Sequence, residues 1–209
     1  MIYIRKEGVP KLFTDTKRKY KNYDELREDP KKELKKYLLK EQGYICAYCM
    51  SRIGVENSTI EHYIPRNGKH GDMSKSLDYD NLFAVCLNSR NTGGNSRHCD
   101  VSKGDKIITL DPRKKNDISQ IKYKRDGEIY SDNDKFNEDL NSALNLNIQT
   151  LKNNRRSALD SALKTLSKQK NNSWNKEFIR KKLEMIENKE EKPEYIGIII
   201  YKLSGIMKR

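Results

Sequence analysis

The sequence has 209 residues, 34% of them apolar and 35% charged, with a net charge of +13. That length fits one domain, or a compact core with helical additions, and the polar balance predicts a modest core under long polar surfaces. It excludes a membrane-spanning bundle, because no apolar run approaches the ~20 residues needed to cross a bilayer.

Residues 1–13 are interrupted by Arg5, Lys6 and Lys11, which is not the pattern of a signal peptide. A cytoplasmic protein is expected. In that reducing compartment the four cysteines read better as metal ligands than as disulfides. In chain order, residues 1–13 look like a short strand or arm closed by Pro10. Residues 23–42 predict a helix, since Leu26, Leu34, Tyr37, Leu38 and Gln42 recur at roughly helical spacing. Asp24 is its candidate cap, Pro30 a break and Gly43 its stop. Residues 44–105 are dense in Gly, Asn, Ser, Cys and His, so something besides apolar burial must hold them. Residues 107–110 and 118–130 look like strands, the latter folded into a hairpin at Asp126-Gly127. From Asp134 the pattern turns helical: Leu140, Leu144, Ile148, Leu151, Leu159, Leu163 and Leu166 predict one long or kinked helix to about residue 170. Ser173 then caps a second helix through Glu187. The stretch 187–192 is a short linker candidate, and Pro193 opens a last helix or extended segment.

The charge is unevenly spread. Residues 1–40 carry a net +6, residues 41–100 a net −1, residues 101–150 balance, and residues 151–209 carry +8. Basic ends around a near-neutral middle suit arms that hold phosphates beside a cation site. A solvated, lysine-rich helix surface gives the same counts.

Cys46-Ala47-Tyr48-Cys49 is a C-x-x-C pair, whose tight turn can aim two thiolates at one tetrahedral zinc. Alone it could equally be a redox pair. Cys86 and Cys99 complete a set of four, and structural zinc becomes the leading reading. Against it, Cys86 in Leu82-Phe83-Ala84-Val85-Cys86 could be a small buried apolar side chain, and His98 could substitute as fourth ligand. Between the cysteine pairs lies Ile60-Glu61-His62-Tyr63-Ile64-Pro65, then Asp80-Asn81-Leu82. Cys99-Asp100-Val101-Ser102-Lys103-Gly104-Asp105 follows. A lone Glu-His pair is more often a surface or capping feature than a site, but these pieces fall in one order within a short stretch.

That order resembles an HNH endonuclease. The N-terminal Pro10-Lys11, the helix running into Glu41-Gln42-Gly43-Tyr44-Ile45-Cys46, the Glu61-His62 and His98-Cys99-Asp100 forms, and a helical C-terminal half with Lys192-Pro193-Glu194-Tyr195 are similar to the PtuB-like HNH proteins. Those serve as effectors in Septu and some retron anti-phage systems. The resemblance implies an α+β, mainly helical fold with a ββα-metal core. It implies an arm and helix over residues 1–43, a nuclease core over 44–106, and a hairpin with helices over 107–209 that pack on the core or dock a partner. A strand hairpin near residues 60–64 and a short helix starting near Asp100 are expected.

By the same resemblance the three family positions fall on His62, Asn81 and Asp100. Phosphodiester hydrolysis needs an activated water and charge neutralisation. His62 is the natural general base. Glu61 and Asp100 offer hard oxygens to magnesium or manganese, and Asn81 suits an orienting role on the His62 loop. Two features depart from the family. Asp100 stands where many members have His or Asn, and twelve residues, 87–98, separate Cys86 from Cys99. Lys103, Arg90, Arg97 and Arg66 are candidate contacts to nucleic acid, although Lys103 reads as well as an ordinary surface or packing lysine. His70 reads as a solvent histidine. The expected activity is metal-dependent hydrolysis of DNA, with structural zinc. The expected partner is an ABC/SMC-type, PtuA-like ATPase, with or without a retron. The alternative is a non-catalytic zinc module that binds nucleic acid.

Overall fold

The structure is a computed structural model that describes residues 1–87, 93–168 and 175–207. Residues 1–10 form no regular element and lead into α1, Lys11–Lys19. Helix α2 spans Glu28–Gln42, and residues 20–27 are turns rather than the predicted first turns of that helix. Pro30 therefore does not split α2. It sits in the first turn, where backbone N–H groups have no intrahelical acceptor, so its missing N–H costs nothing. Asp24 caps nothing; the residue before the helix is Arg27, which makes no side-chain cap. Gly43 ends α2 in the left-handed region (φ 68°), its N–H reaching Leu39 and Lys40 oxygens, the stop its lack of a Cβ allows.

Strand β1, Ser58–His62, pairs antiparallel with β2, Leu82–Cys86, with His62 opposite Leu82 and Ser58 opposite Cys86. The two strands are joined by residues 63–81, so the expected local hairpin near residues 60–64 is instead a pairing across a long loop. Every residue of β2 is buried. The Gln42 amide explains part of that: Oε1 accepts the Ala84 N–H and Nε2 donates to the Ala84 oxygen, both at 2.8 Å. One side chain on α2 thus takes the Ala84 N–H, which would otherwise be stranded in the core, and shares the Ala84 oxygen with the Ala47 N–H.

Helix α3 is a single turn, Asp100–Lys103, and α4 spans Lys115–Ser119. Strands β3, Lys122–Tyr123, and β4, Ile129–Tyr130, pair across the Asp126-Gly127 turn. The strand expected at 107–110 is absent, and Ile118 is helical. The Asp139 carboxylate replaces the missing strand partner, accepting the Thr109 N–H at 2.7 Å and the Leu110 N–H at 2.8 Å.

The long helix expected from Asp134 is broken. Helix α5, Asp134–Glu138, runs into one π-helical turn, Asp139–Ala143. Asn145 adopts φ 49°, and α6 starts afresh at Gln149–Lys168. Helix α7 spans Lys176–Glu187 and is capped by Asn175, whose side chain accepts the Phe178 N–H; the predicted cap Ser173 lies outside the described residues. Helix α8 spans Ile196–Met207 and packs on α6, α7 and β3. Among the described residues, the buried apolar side chains run from Met1 through the cysteines to Leu203 as one cluster. No helix there is long and apolar enough to cross a membrane.

Candidate functional site

The cysteine turn is built by its backbone. Ile45 bridges Arg52, Cys46 N–H donates to Ser51 O at 2.9 Å, Met50 N–H to Cys46 O at 3.0 Å, and Ala47 N–H ties the turn to Ala84 on β2. Met50 takes φ 65° to close it. Cys86 ends β2, and Cys99 (φ 57°) precedes α3 with its N–H on Leu144 O at 2.9 Å.

These elements bring the four sulfurs together. Cys46–Cys99 and Cys86–Cys99 are 3.8 Å apart, Cys49–Cys86 is 3.7 Å, and all four lie within 4.8 Å of one another. A tetrahedron with zinc–sulfur bonds of about 2.3 Å has edges of about 3.8 Å. Four buried cysteines at this spacing can hold a metal such as zinc. The thiols differ in acidity. Hydrogen bonds from Cys46, then Cys86 and Cys99, hold the Cys49 sulfur well below the usual thiol range. Burial pushes Cys99 up, and its Cys46 and Cys49 neighbours raise Cys86. Sulfurs this close cannot all ionise unless a cation offsets their charge. His98 does not replace a sulfur; its Nδ1 lies 3.1 Å from Cys99 Sγ, beside the cluster.

Next to the cluster, β1 ends in Glu61 and His62. His62 is buried, 7% exposed. Its Nε2 lies 3.0 Å from the Ser76 carbonyl, and Tyr23 packs edge-on against the ring at 4.8 Å between centroids. Burial lowers the His62 pKa to about 4, only partly opposed by the Ser76 hydrogen bond, so the ring is neutral at neutral pH. A carbonyl can only accept, so Nε2 carries the proton and Nδ1 a lone pair. Asn81, also buried, clamps the loop that follows His62. Its Oδ1 accepts the Ile64 N–H at 2.7 Å, its Nδ2 donates to Ile64 O at 3.0 Å and Lys75 O at 3.1 Å, and its own carbonyl accepts the Tyr63 N–H at 2.9 Å.

Glu61 accepts from Tyr48 OH at 3.3 Å and pairs with Lys103 at 2.8 Å. Burial raises its pKa, Lys103 opposes that, and the nearby Asp100 charge adds to the rise. Asp100 opens α3, three residues before Lys103, on the same face of the turn.

The expected nucleic-acid contacts fare unevenly. Lys103 is not a surface lysine: its side chain is fully buried, and Nζ also donates to the His62 carbonyl at 3.1 Å. Its charge is directed inward, onto Glu61 and the end of β1. Arg66 pairs with Asp24 and lies 4.9 Å from the Tyr23 ring centroid. Arg97 is exposed. Arg90 lies outside the described residues. Sequence reasoning missed the Ser76 carbonyl, which sets the His62 tautomer, and Tyr23, which covers the ring. A backbone acceptor leaves no trace in a motif, and Tyr23 is distant in sequence.

No family model matches the chain. It is similar to the Escherichia coli protein named Retron Ec83 putative HNH endonuclease, at 38% identity over 66 residues, covering 30% of this chain and 26% of that one. It is also similar to Retron Vc95 putative HNH endonuclease of Vibrio cholerae serotype O1 biovar El Tor, at 25% identity over 88 residues and 42% of each chain. The chain thus spans about a quarter of the first relative's length and less than half of the second's.

Proposed function

We propose that this chain is a metal-dependent HNH endonuclease that hydrolyses phosphodiester bonds in DNA, with β1, β2 and α3 as its ββα-metal core. The observation that carries this reading is the arrangement of β1, β2 and α3 beside the cysteine cluster, with Glu61 of β1 held to Lys103 of α3 at 2.8 Å and Asn81 clamping the loop that follows His62. Glu61 and His62 end one strand, Asn81 precedes its partner, and Asp100 opens the following helix. The similarity to two proteins named as retron HNH endonucleases supports the same reaction class.

In this reading each side chain has one task. Ser76 fixes His62 as the Nε2–H tautomer, leaving Nδ1 to take a proton from a water aligned with the phosphate. Asn81 holds the loop after β1 so that the ring keeps its direction. Glu61 and Asp100 offer hard carboxylate oxygens suited to magnesium or manganese, which would neutralise charge developing on the phosphate. The cysteine cluster, holding zinc, fixes the turn, β2 and α3 relative to one another. Arg97 and Arg66 border this region as candidate phosphate contacts. The reading extends to an anti-phage role, with the chain acting as the nuclease of a system that includes an ABC/SMC-type ATPase. A nuclease with this little sequence-reading apparatus needs restraint from a partner.

The test uses purified, zinc-retaining protein with supercoiled plasmid DNA and magnesium or manganese, alone and with an ABC/SMC-type ATPase of the kind proposed. Nicked or linear product, lost in Asp100→Ala and partly restored by excess manganese, is expected. Tight DNA binding with no cleavage under any of these conditions overturns the reading in favour of a non-catalytic binding module.

A further inference from the structure

The Lys103 ammonium lies on Glu61, one of the two carboxylates that the proposed function assigns to a divalent ion. Three observations define its position. Its Nζ is 2.8 Å from Glu61 Oε1, with the lysine side chain fully buried and Glu61 only 13% exposed. It also donates to the His62 backbone carbonyl at 3.1 Å, which fixes it against the end of β1. And it shares one helical turn with Asp100, whose charge is felt at Glu61.

Buried carboxylates without counter-charge are costly. An ammonium on a flexible four-carbon stem supplies that charge with hydrogen bonds, yet can leave without disturbing the backbone that carries it. Oxygen-seeking divalent ions require the same carboxylate oxygens. We propose that Lys103 is a resident counter-cation of Glu61, which a divalent ion binding Glu61 and Asp100 must displace. The lysine thereby sets a threshold metal concentration for the site. This rests on the reading of Glu61 and Asp100 as a divalent-ion site.

Manganese is the probe, and its binding by the zinc-retaining full chain is followed by the paramagnetic resonance signal of the free ion. Lys103→Gln is expected to bind manganese at least tenfold more tightly than wild type, and Glu61→Gln to lose most binding in either background. Equal or weaker binding by a folded Lys103→Gln overturns the role of Lys103 while leaving the metal site intact. Failure of wild type and variant alike to bind manganese overturns the divalent-ion reading itself. Because a buried-lysine variant can lose its fold, the same question is put to the wild-type protein. Mass-spectrometric labelling by a small amine-reactive reagent should find Lys103 protected without magnesium and labelled several-fold faster at saturating magnesium. Labelling unchanged by magnesium overturns the displacement.

Discussion

At the scale of a single residue, the proposed function rests most on His62. If it is the base, His62→Ala lowers the cleavage rate by about 10²–10⁴-fold and leaves zinc content and DNA affinity close to wild type, because the ring's contacts, the Ser76 carbonyl and the Tyr23 ring, lie outside the cysteine cluster and their loss costs stability instead. Wild-type cleavage by clean His62→Ala protein would remove the imidazole from the mechanism. The ring also makes a pH prediction. Its folded pKa, about 4, lies below the ordinary value of 6.5, so between these values the unfolded chain binds the extra proton. Stability is then complete above pH 6.5 and falls as pH drops toward 4, by up to about 3 kcal/mol at roughly 1.4 kcal/mol per unit. In urea titrations His62→Gln should flatten that part of the profile; an identical slope in the variant would assign the dependence to other groups. Glu61 and His62 were legible as neighbours in a motif. The fate of Lys103 was not, since the sequence gives a lysine after a short helix in either case and only the overlying strand buries it.

At the scale of elements, the cysteine turn, β2 and α3 meet at four sulfurs and share little regular hydrogen bonding. A metal held there would supply much of their folding energy. Protein purified without chelator is expected to carry one tightly bound zinc, and Cys86→Ser to lose it together with thermal stability; metal-free protein of unchanged melting temperature would contradict this. A second junction lies between α6 and the β3–β4 turn. Arg155 is fully buried, with Nε on Gly127 O at 2.5 Å and Nη2 on Leu146 O at 2.8 Å. Burial lowers its pKa, and its Nη1 has no hydrogen-bond partner among the described residues. Arg155→Leu leaves two buried carbonyls unmet, and a loss of about 2–5 kcal/mol is expected by denaturant unfolding. The helical periodicity of α6 was plain in the sequence. The arginine on its buried face was not, because an arginine at that spacing reads as solvent-facing.

Across the whole molecule, the C-terminal helices spend their apolar faces internally. Leu159, Leu166, Ile179, Ile198, Ile199 and Leu203 are buried, and α8 lies against both α6 and α7. Leu163 and Phe178 are half-buried. A partner is left the exposed remainder, including Met185 at 58% and Tyr201 at 39% exposure. The proposed ATPase partnership predicts co-elution of the two proteins in size-exclusion chromatography at micromolar concentration; separate elution with and without nucleotide would sink it. The net charge of +13 predicts DNA binding that weakens steeply with salt, log affinity falling by about 0.9 per neutralised phosphate for each decade of salt.

The sequence by itself determined the metal-capable cysteine set, the Gly43 stop, the Asp126-Gly127 hairpin and the order of the candidate catalytic residues. These are properties of spacing and local backbone chemistry, which a short stretch of chain carries complete. Only the tertiary structure decided that Pro30 begins α2, that residues 107–110 bond to the Asp139 carboxylate in place of a strand, that Ser76 sets the His62 tautomer, and that Lys103 turns inward onto Glu61. Each depends on a group distant in sequence or on a buried environment, and burial assigns a polar side chain its partner in a way that local pattern does not encode.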